Sequence, residues 1–231
     1  RFALQIGKAF NGIEAATTDL LGNPMRGNLR ISVTPFYGNR ILLPHLSRFH
    51  ALFPEIRVEP DMGATDIDFR KSDLDGGLRY GTGSWPGLTS IPLHTDELVP
   101  VAAPSVVSGR TLPLRAEDIA QLTLGYIEGQ QHDWAAWFDL MKYVGPPTEN
   151  MIGYGSRARV VDLAFSGHGV ALADVRLTAA DVAAGHLVRL NETPVSTGRG
   201  MWLVYPDTDF PDPRLIAFGE WFRSEVTKIS T

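Results

Sequence analysis

Leu78-Arg79-Tyr80-Gly81-Thr82-Gly83-Ser84-Trp85-Pro86-Gly87-Leu88 reads as the end of a strand running into a loop that must turn sharply. The three glycines and the proline of this stretch permit backbone angles that other residues resist. Between them stand an arginine, a tyrosine and a tryptophan. Such a loop can bring backbone N–H groups, a fixed cation and flat apolar surface to one spot. Taken alone it reads more readily as a well-packed turn. Its surroundings give it meaning.

From residue 29 onward the pattern alternates strand and helix. Strands are expected over 29–34, 56–61, 75–80, 90–93 and 97–103, with a helix over 39–52. After Pro104 the pattern restarts. Strands follow at 122–127, 150–155, 169–173, 187–190 and 200–205. Helices are expected over 133–144, 157–167 and 214–228, with a helical turn near 179–184. Strands alternating with helices mean parallel sheets covered on both faces, an α/β fold. The restart suggests two lobes. Upstream, Phe2, Ile6, Phe10, Ile13, Thr17 and Leu20 follow one helical stripe that ends at Gly22-Asn23-Pro24. That helix either packs on its own core or protrudes.

The loop is one of several ordered motifs. Before it stand Leu29-Arg30-Ile31-Ser32-Val33-Thr34-Pro35, Leu42-Leu43-Pro44-His45-Leu46-Ser47-Arg48-Phe49 and Phe53-Pro54-Glu55-Ile56. After it come Asp96-Glu97-Leu98-Val99-Pro100-Val101-Ala102-Ala103-Pro104 and Trp134-Ala135-Ala136-Trp137. Ser166-Gly167-His168-Gly169-Val170-Ala171-Leu172-Ala173 and Trp202-Leu203-Val204-Tyr205-Pro206 complete the series. In this order and spacing the chain resembles the effector-binding domain of LysR-type transcriptional regulators over roughly residues 1–225. It looks nearest to the glycine-cleavage activator and β-lactamase regulator subgroup. The resemblance implies two Rossmann-like lobes with a ligand cleft between them, like a type 2 periplasmic binding protein. It implies lobe I over 29–103 plus 206–231 and lobe II over 104–205, with crossings near 102–105 and 205–207. Residues 1–23 would be a fragment of the linker and dimerisation helix.

Composition limits the alternatives. The 231 residues, 44% of them hydrophobic, suit one large domain or two small ones. No run of apolar residues is long enough for a transmembrane helix. The net charge of −5 argues against this chain as the main nucleic-acid contact. No cysteine is present, so disulfides and thiolate metal sites are excluded, which fits a reducing cytoplasm. The chain opens without Met or a signal-peptide pattern, and a truncated start is expected. There is no Gly-x-Ser-x-Gly elbow, P-loop or His-Glu-x-x-His motif. The six histidines are dispersed, without ligand spacing. No cofactor and no metal are expected.

In open α/β sheets a ligand sits beyond the carboxyl ends of the strands, where helix N-termini converge. Four such ends are candidates. The first is Thr34-Pro35-Phe36-Tyr37, where a helix begins. Relatives place Ser or Thr where Pro35 stands, so Thr34 would have to replace the lost hydroxyl, unless it only caps the helix. The second is Arg79-Tyr80-Gly81, whose arginine either holds a carboxylate bidentately or pairs structurally with an acid such as Asp75. The third is Ile127-Glu128-Gly129, ahead of a helix that Asp133 would cap. Trp134 and Trp137 share a face of that helix and read more readily as core. The fourth is Gly155-Ser156-Arg157. Ser156 aligns with a ligand-contacting serine of the β-lactamase regulators, and Arg157 departs from their pattern. A cation at a helix start opposes the dipole. Met201 stands where a relative has a ligand-contacting tyrosine. With Tyr37, Tyr80 and Trp202 it would form an apolar wall.

The expected effector is therefore a small organic anion, most simply a carboxylate. The resemblance also implies a homodimer, or a tetramer at full length, with helix 39–52 against helix 157–167 of a partner. Leu42, Leu46 and Phe49 lie on one stripe of the first helix. DNA would be bound only through an N-terminal helix-turn-helix domain absent from this chain, with no enzymatic activity and no membrane partner. The competing readings are a solute-binding protein of a transporter and an enzyme on the same scaffold.

Overall fold

In the computed structural model, which describes residues 24–63, 69, 71–145 and 150–229, the strands form two five-stranded mixed sheets. The helix expected over 2–21 lies outside the described residues. The first sheet has the order β2-β1-β3-β10-β4. Its strands are β1 (Gly27–Ser32), β2 (Ile56–Asp61), β3 (Gly76–Gly81), β4 (Leu88–Thr95) and β10 (Gly200–Pro206). The second has the order β7-β6-β8-β5-β9. It contains β5 (Leu98–Ala102), β6 (Leu124–Ile127), β7 (Met151–Tyr154), β8 (Val170–Asp174) and β9 (Val188–Arg189).

The two sheets repeat one scheme. β1 runs parallel to β2 and β3, and β10 joins β3 antiparallel. Likewise β6 runs parallel to β7 and β8, and β5 joins β8 antiparallel. The parallel strands were expected from the alternation with helices; the antiparallel strand in each sheet is the addition.

That addition moves the expected boundaries. The 97–103 strand was expected in the first lobe, but β5 pairs with β8 (Leu98↔Asp174 to Val101↔Ala171) and with β9 in the second sheet. The 200–205 strand was expected in the second lobe, but β10 pairs with β3 (Gly200↔Gly81 to Val204↔Gly77) in the first. The chain thus divides into one unit of the described residues up to His94 with Gly200–Lys228, and another of Thr95–Arg199. Pattern locates a strand but does not choose which neighbour takes its hydrogen bonds. Leu98–Ala102 is buried at every position, as a strand covered on both faces should be. Pro104 opens only a 3-10 turn, Pro104–Val107.

In the first unit the chain turns helical at Pro35, earlier than expected, because proline's fixed φ suits the first helical position. α1 (Pro35–Tyr37) passes through a π-helical stretch (Gly38–Leu42) into α2 (Leu43–Leu52). The last helix, α7 (Pro213–Ile229), packs on α2 through aromatic rings. Phe49 lies 5.7 Å from Phe218 and 5.1 Å from Trp221 between centroids. Gly219 lets α7 approach β10 closely, since a Cβ there would sit 2.7 Å from Leu203 Cδ2.

In the second unit the helices are α3 (Ala116–Ile119), α4 (His132–Leu140), α5 (Arg157–Phe165) and α6 (Val175–Ala183). The α6 helix is longer than the turn expected near 179–184, and Asp174 caps it by accepting from Arg176 N at 2.9 Å. Trp134 and Trp137 are core residues, packed with Leu98, Leu124, Val170 and Leu190. Their indole N–H groups donate to Gly125 O (2.8 Å) and Thr193 O (3.0 Å), so neither ring leaves a buried donor unmet.

Candidate functional site

The predicted site residues divide between the two units. In the first, Thr34 stands at the N-cap position of α1 in extended conformation, but its hydroxyl makes no capping bond. Pro35 is exposed and Phe36 half-buried, with the Arg40 guanidinium 4.9 Å from the Phe36 ring centre. Tyr37 is buried, its hydroxyl bonded to His94 Nε2 and its ring stacked on the His94 imidazole. Its side chain belongs to the interior of this unit, not to an open wall.

Strand register sorts the remaining residues of this unit. Residues directly opposite in an antiparallel pair share a face, and the faces alternate along each strand. Arg79 lies opposite Trp202, and Tyr80 opposite Met201. So Arg79 and Trp202 share one face, and Tyr80 and Met201 the other. The expected wall of Tyr37, Tyr80, Met201 and Trp202 is corrected accordingly: Met201 and Trp202 point to opposite sides of β10. Met201 is buried on the side of Leu203, which meets α7. Arg79 folds back over the sheet, donating to Leu78 O (3.0 Å) and Ser32 Oγ (3.1 Å). Gly77 leaves it room, since a Cβ there would lie 3.1 Å from Arg79 Nη1. The Trp202 indole donates to Gly81 O at 3.0 Å and covers the glycine loop that follows β3.

In the second unit, Glu128 is exposed, and its N–H donates to Tyr154 O at 2.9 Å. Gly155 and Ser156 are exposed at the start of α5. Ser156 is the N-cap, in extended conformation, and its hydroxyl makes no capping bond. Arg157 occupies the first turn and lines a recess with Gly125, Tyr126, Gln130, Asp133 and Val160. The recess measures about 260 Å³ with the open solvent at its mouth, while its enclosed part takes only a water-sized group. Gln130 Oε1 is buried there without a hydrogen-bond donor.

Asp133 is not the helix cap that its position suggested. Gln131 holds the N-cap position of α4, and Asp133 sits in the first turn. Its carboxylate instead receives Arg199 Nη2 at 2.5 and 2.6 Å. Sequence reading missed Gln130 and Arg199 altogether. A separation of 66 residues between Asp133 and Arg199 leaves no local pattern to find. Chemically, the second unit offers the Arg157 guanidinium and the buried Gln130 Oε1 in one recess, with the Ser156 hydroxyl, which makes no capping bond, at the adjoining start of α5. No group of three or more His, Asp or Glu among the described residues is placed to hold a metal.

Comparison with known proteins bears on this arrangement. A family model described as the LysR substrate binding domain matches residues 22–227. The glycine cleavage system transcriptional activator of Escherichia coli K12 is 28% identical over 226 residues, covering 97% of this chain and 73% of that protein. The transcriptional activator AmpR of Rhodobacter capsulatus is 27% identical over 197 residues, covering 85% and 66% respectively. Among solved structures, the effector domain of AmpR from Pseudomonas aeruginosa superposes with a TM-score of 0.75 at 24% identity. That match covers 88% of this chain and 97% of that one, and speaks for the fold alone.

Proposed function

The chain belongs to the LysR substrate binding domain family and is the effector-binding domain of a LysR-type transcriptional regulator, and we propose that its effector is a small organic anion held in part by Arg157. The observation that carries this reading is Arg157 in the first turn of α5, lining a recess beside the uncapped hydroxyl of Ser156. A cation there works against the helix dipole, and an anion beside it would offset that. The α5 N-terminus adds backbone N–H groups that favour the same ligand.

Within the second unit the effector would draw also on residues 128–129. The enclosed part of the recess is only water-sized, so an aromatic or amino-acid carboxylate would approach Arg157 from its open mouth, with Tyr126 and Val160 as apolar neighbours. The protein acts by binding and not by catalysis, in the cytoplasm, as a homodimer. DNA is contacted through a helix-turn-helix domain preceding this chain. A solute-binding protein of a transporter shares the architecture, but the family match to transcriptional regulators does not favour it.

Calorimetry with a library of small carboxylates tests the reading. A desolvated, charge-assisted hydrogen bond contributes roughly 1.5–3 kcal/mol. Arg157→Ala should therefore weaken binding about tenfold to a hundredfold. Binding only by neutral or cationic compounds, or an Arg157→Ala protein that binds as tightly as the wild type, refutes it.

A further inference from the structure

The start of β1 is held on one edge by a side chain where a strand would be expected. Residues two apart in a strand turn their backbone groups to the same edge. Gly27 N donates to Glu55 O at 2.9 Å, so Gly27 faces β2. Arg26, Asn28 and Arg30 therefore face the other edge. Asp75 serves Arg30 there: its N–H donates to Arg30 O at 3.0 Å, and its carboxylate accepts from Arg30 N at 2.7 Å. β3 begins at Gly76, opposite Ile31, so among the described residues no strand reaches Arg26 and Asn28 on this edge. Arg214 of α7 reaches them instead, and its Nη1 donates to Arg26 O and to Asn28 O at 3.1 Å each. We infer that Arg214 is the anchor through which the last helix fixes the point where the chain preceding residue 24 leaves the first unit.

The guanidinium divides its donors between two tasks. Nη1 takes the two carbonyls, while Nε and Nη2 hold the Asp212 carboxylate at 3.1 and 2.6 Å. Asp212 also accepts from Arg214 N at 2.8 Å, so one carboxylate fixes both the backbone and the side chain of Arg214. Gly27 lets the strand pass close to this group. Its φ is +100°, and a Cβ there would sit 3.0 Å from Nη1. The same turn of α7 is seated on β3: Leu215 is 2% exposed, and a Cβ on Gly76 would sit 2.8 Å from its Cδ1.

A shift of α7 would therefore be passed to the leading chain and, through it, to a domain that precedes it. That consequence rests on the proposed DNA-binding domain ahead of this chain, whereas the anchor does not. A specific DNA footprint by this chain alone would remove that reading and leave the anchor standing. The competing role for Arg214 is to strengthen the start of α7 through Asp212 and nothing more.

Hydrogen exchange of the whole chain separates the two, in wild type, R214Q and R214M, the last keeping the aliphatic stem. Loss of the anchor predicts exchange about tenfold faster over residues 26–30 in both variants, whatever happens over 213–217, with 200–206 as in wild type. Wild-type exchange over 26–30 overturns the inference, and so does an equal rise over 200–206, which marks general loosening. The chain has no cysteine, so one introduced at exposed Pro24 takes a single nitroxide label. Its mobility should be higher in P24C/R214Q than in P24C, and equal mobility means that Arg214 does not restrain the leading chain. Should neither Arg214 variant fold, the wild type carries the test. Asp212 holds Nε and Nη2, so only the two carbonyls restrain Nη1. Rotation of the Nη1 group should be slow in 15N spectra, and a freely rotating Nη1 overturns the inference.

Discussion

Single residues decide how the opening loop is held. Gly83 has φ near +91°, a conformation that side-chain-bearing residues rarely adopt. A Cβ there would also meet the Trp202 ring at 2.4 Å. Gly83→Ala therefore carries both a backbone and a packing penalty, and should destabilise the protein by roughly 2–4 kcal/mol. Urea unfolding measures the loss, and a shift in tryptophan emission should accompany it as Trp202 leaves Gly81. A variant as stable as wild type would mean that the loop can move aside freely. Glu225 supplies the clearest pH dependence. Burial alone would raise its carboxyl, but hydrogen bonds from Lys228 and Arg48 outweigh that and hold it below the usual range. A depressed carboxyl contributes stability that is present above its unfolded value of 4.5 and lost as pH falls through the lower folded value. Glu225→Gln should cost roughly 1–3 kcal/mol at neutral pH. The two proteins should converge in stability in acid, measured by denaturation at a series of pH values. Asp75 has the opposite sign: burial pushes its carboxyl up despite the hydrogen bond from Arg30 N, so it relieves the fold as pH falls.

At the scale of elements, the α2 helix shows what an apolar stripe can and cannot say. Leu42 and Phe49 are fully buried in their own unit, so two of the three residues on the stripe face the protein's own interior. The exposed large apolar side chains of α2 are Leu43, 45% exposed, and Leu52, 65% exposed. If α2 meets a partner subunit, Leu43 is the residue to charge. A glutamate at the first turn is compatible with the helix dipole, so folding should survive. Leu43→Glu should convert dimers to monomers by light scattering, and an unchanged dimer would place the interface elsewhere. The same scale explains which parts of the fold were legible. β1 was readable because Leu29, Ile31 and Val33 alternate into the core, and α4 because Trp134 and Trp137 fall on one face. β5 and β10 were readable as strands, yet their sheets were assigned wrongly, because the partners are distant in sequence. Site residues on single turns, such as Ser156 and Arg157, could be named from the strand-to-helix pattern. Asp133 was named with the wrong partner, since a first-turn acid is locally satisfied by a cap and only the fold brings Arg199 to it.

At the scale of the whole molecule, the chain leaves its first unit after His94 and re-enters it at Gly200, so each unit is completed by a strand lying next to a crossing. The crossings that the resemblance implied, near 102–105 and 205–207, lie several residues after these points, because the sheets change partners before the pattern restarts at Pro104. The charge of the whole chain is the property that bears on DNA. Affinity for the duplex comes chiefly from lysine and arginine neutralising phosphates, with release of condensed counterions. This chain has 21 such residues against 26 acids, for a net charge of −5. Its arginines are also committed elsewhere in part: Arg30, Arg48, Arg176, Arg199 and Arg214 are each ion-paired to an acid. An acidic surface with its cations so engaged repels the phosphate backbone before any base can be read. The chain alone should therefore leave no sequence-specific footprint on regulatory DNA at physiological salt, and any retardation at low salt should vanish steeply as salt is added. A specific footprint that persists at physiological salt would place base recognition inside this chain and reverse the assignment of DNA binding to a separate domain.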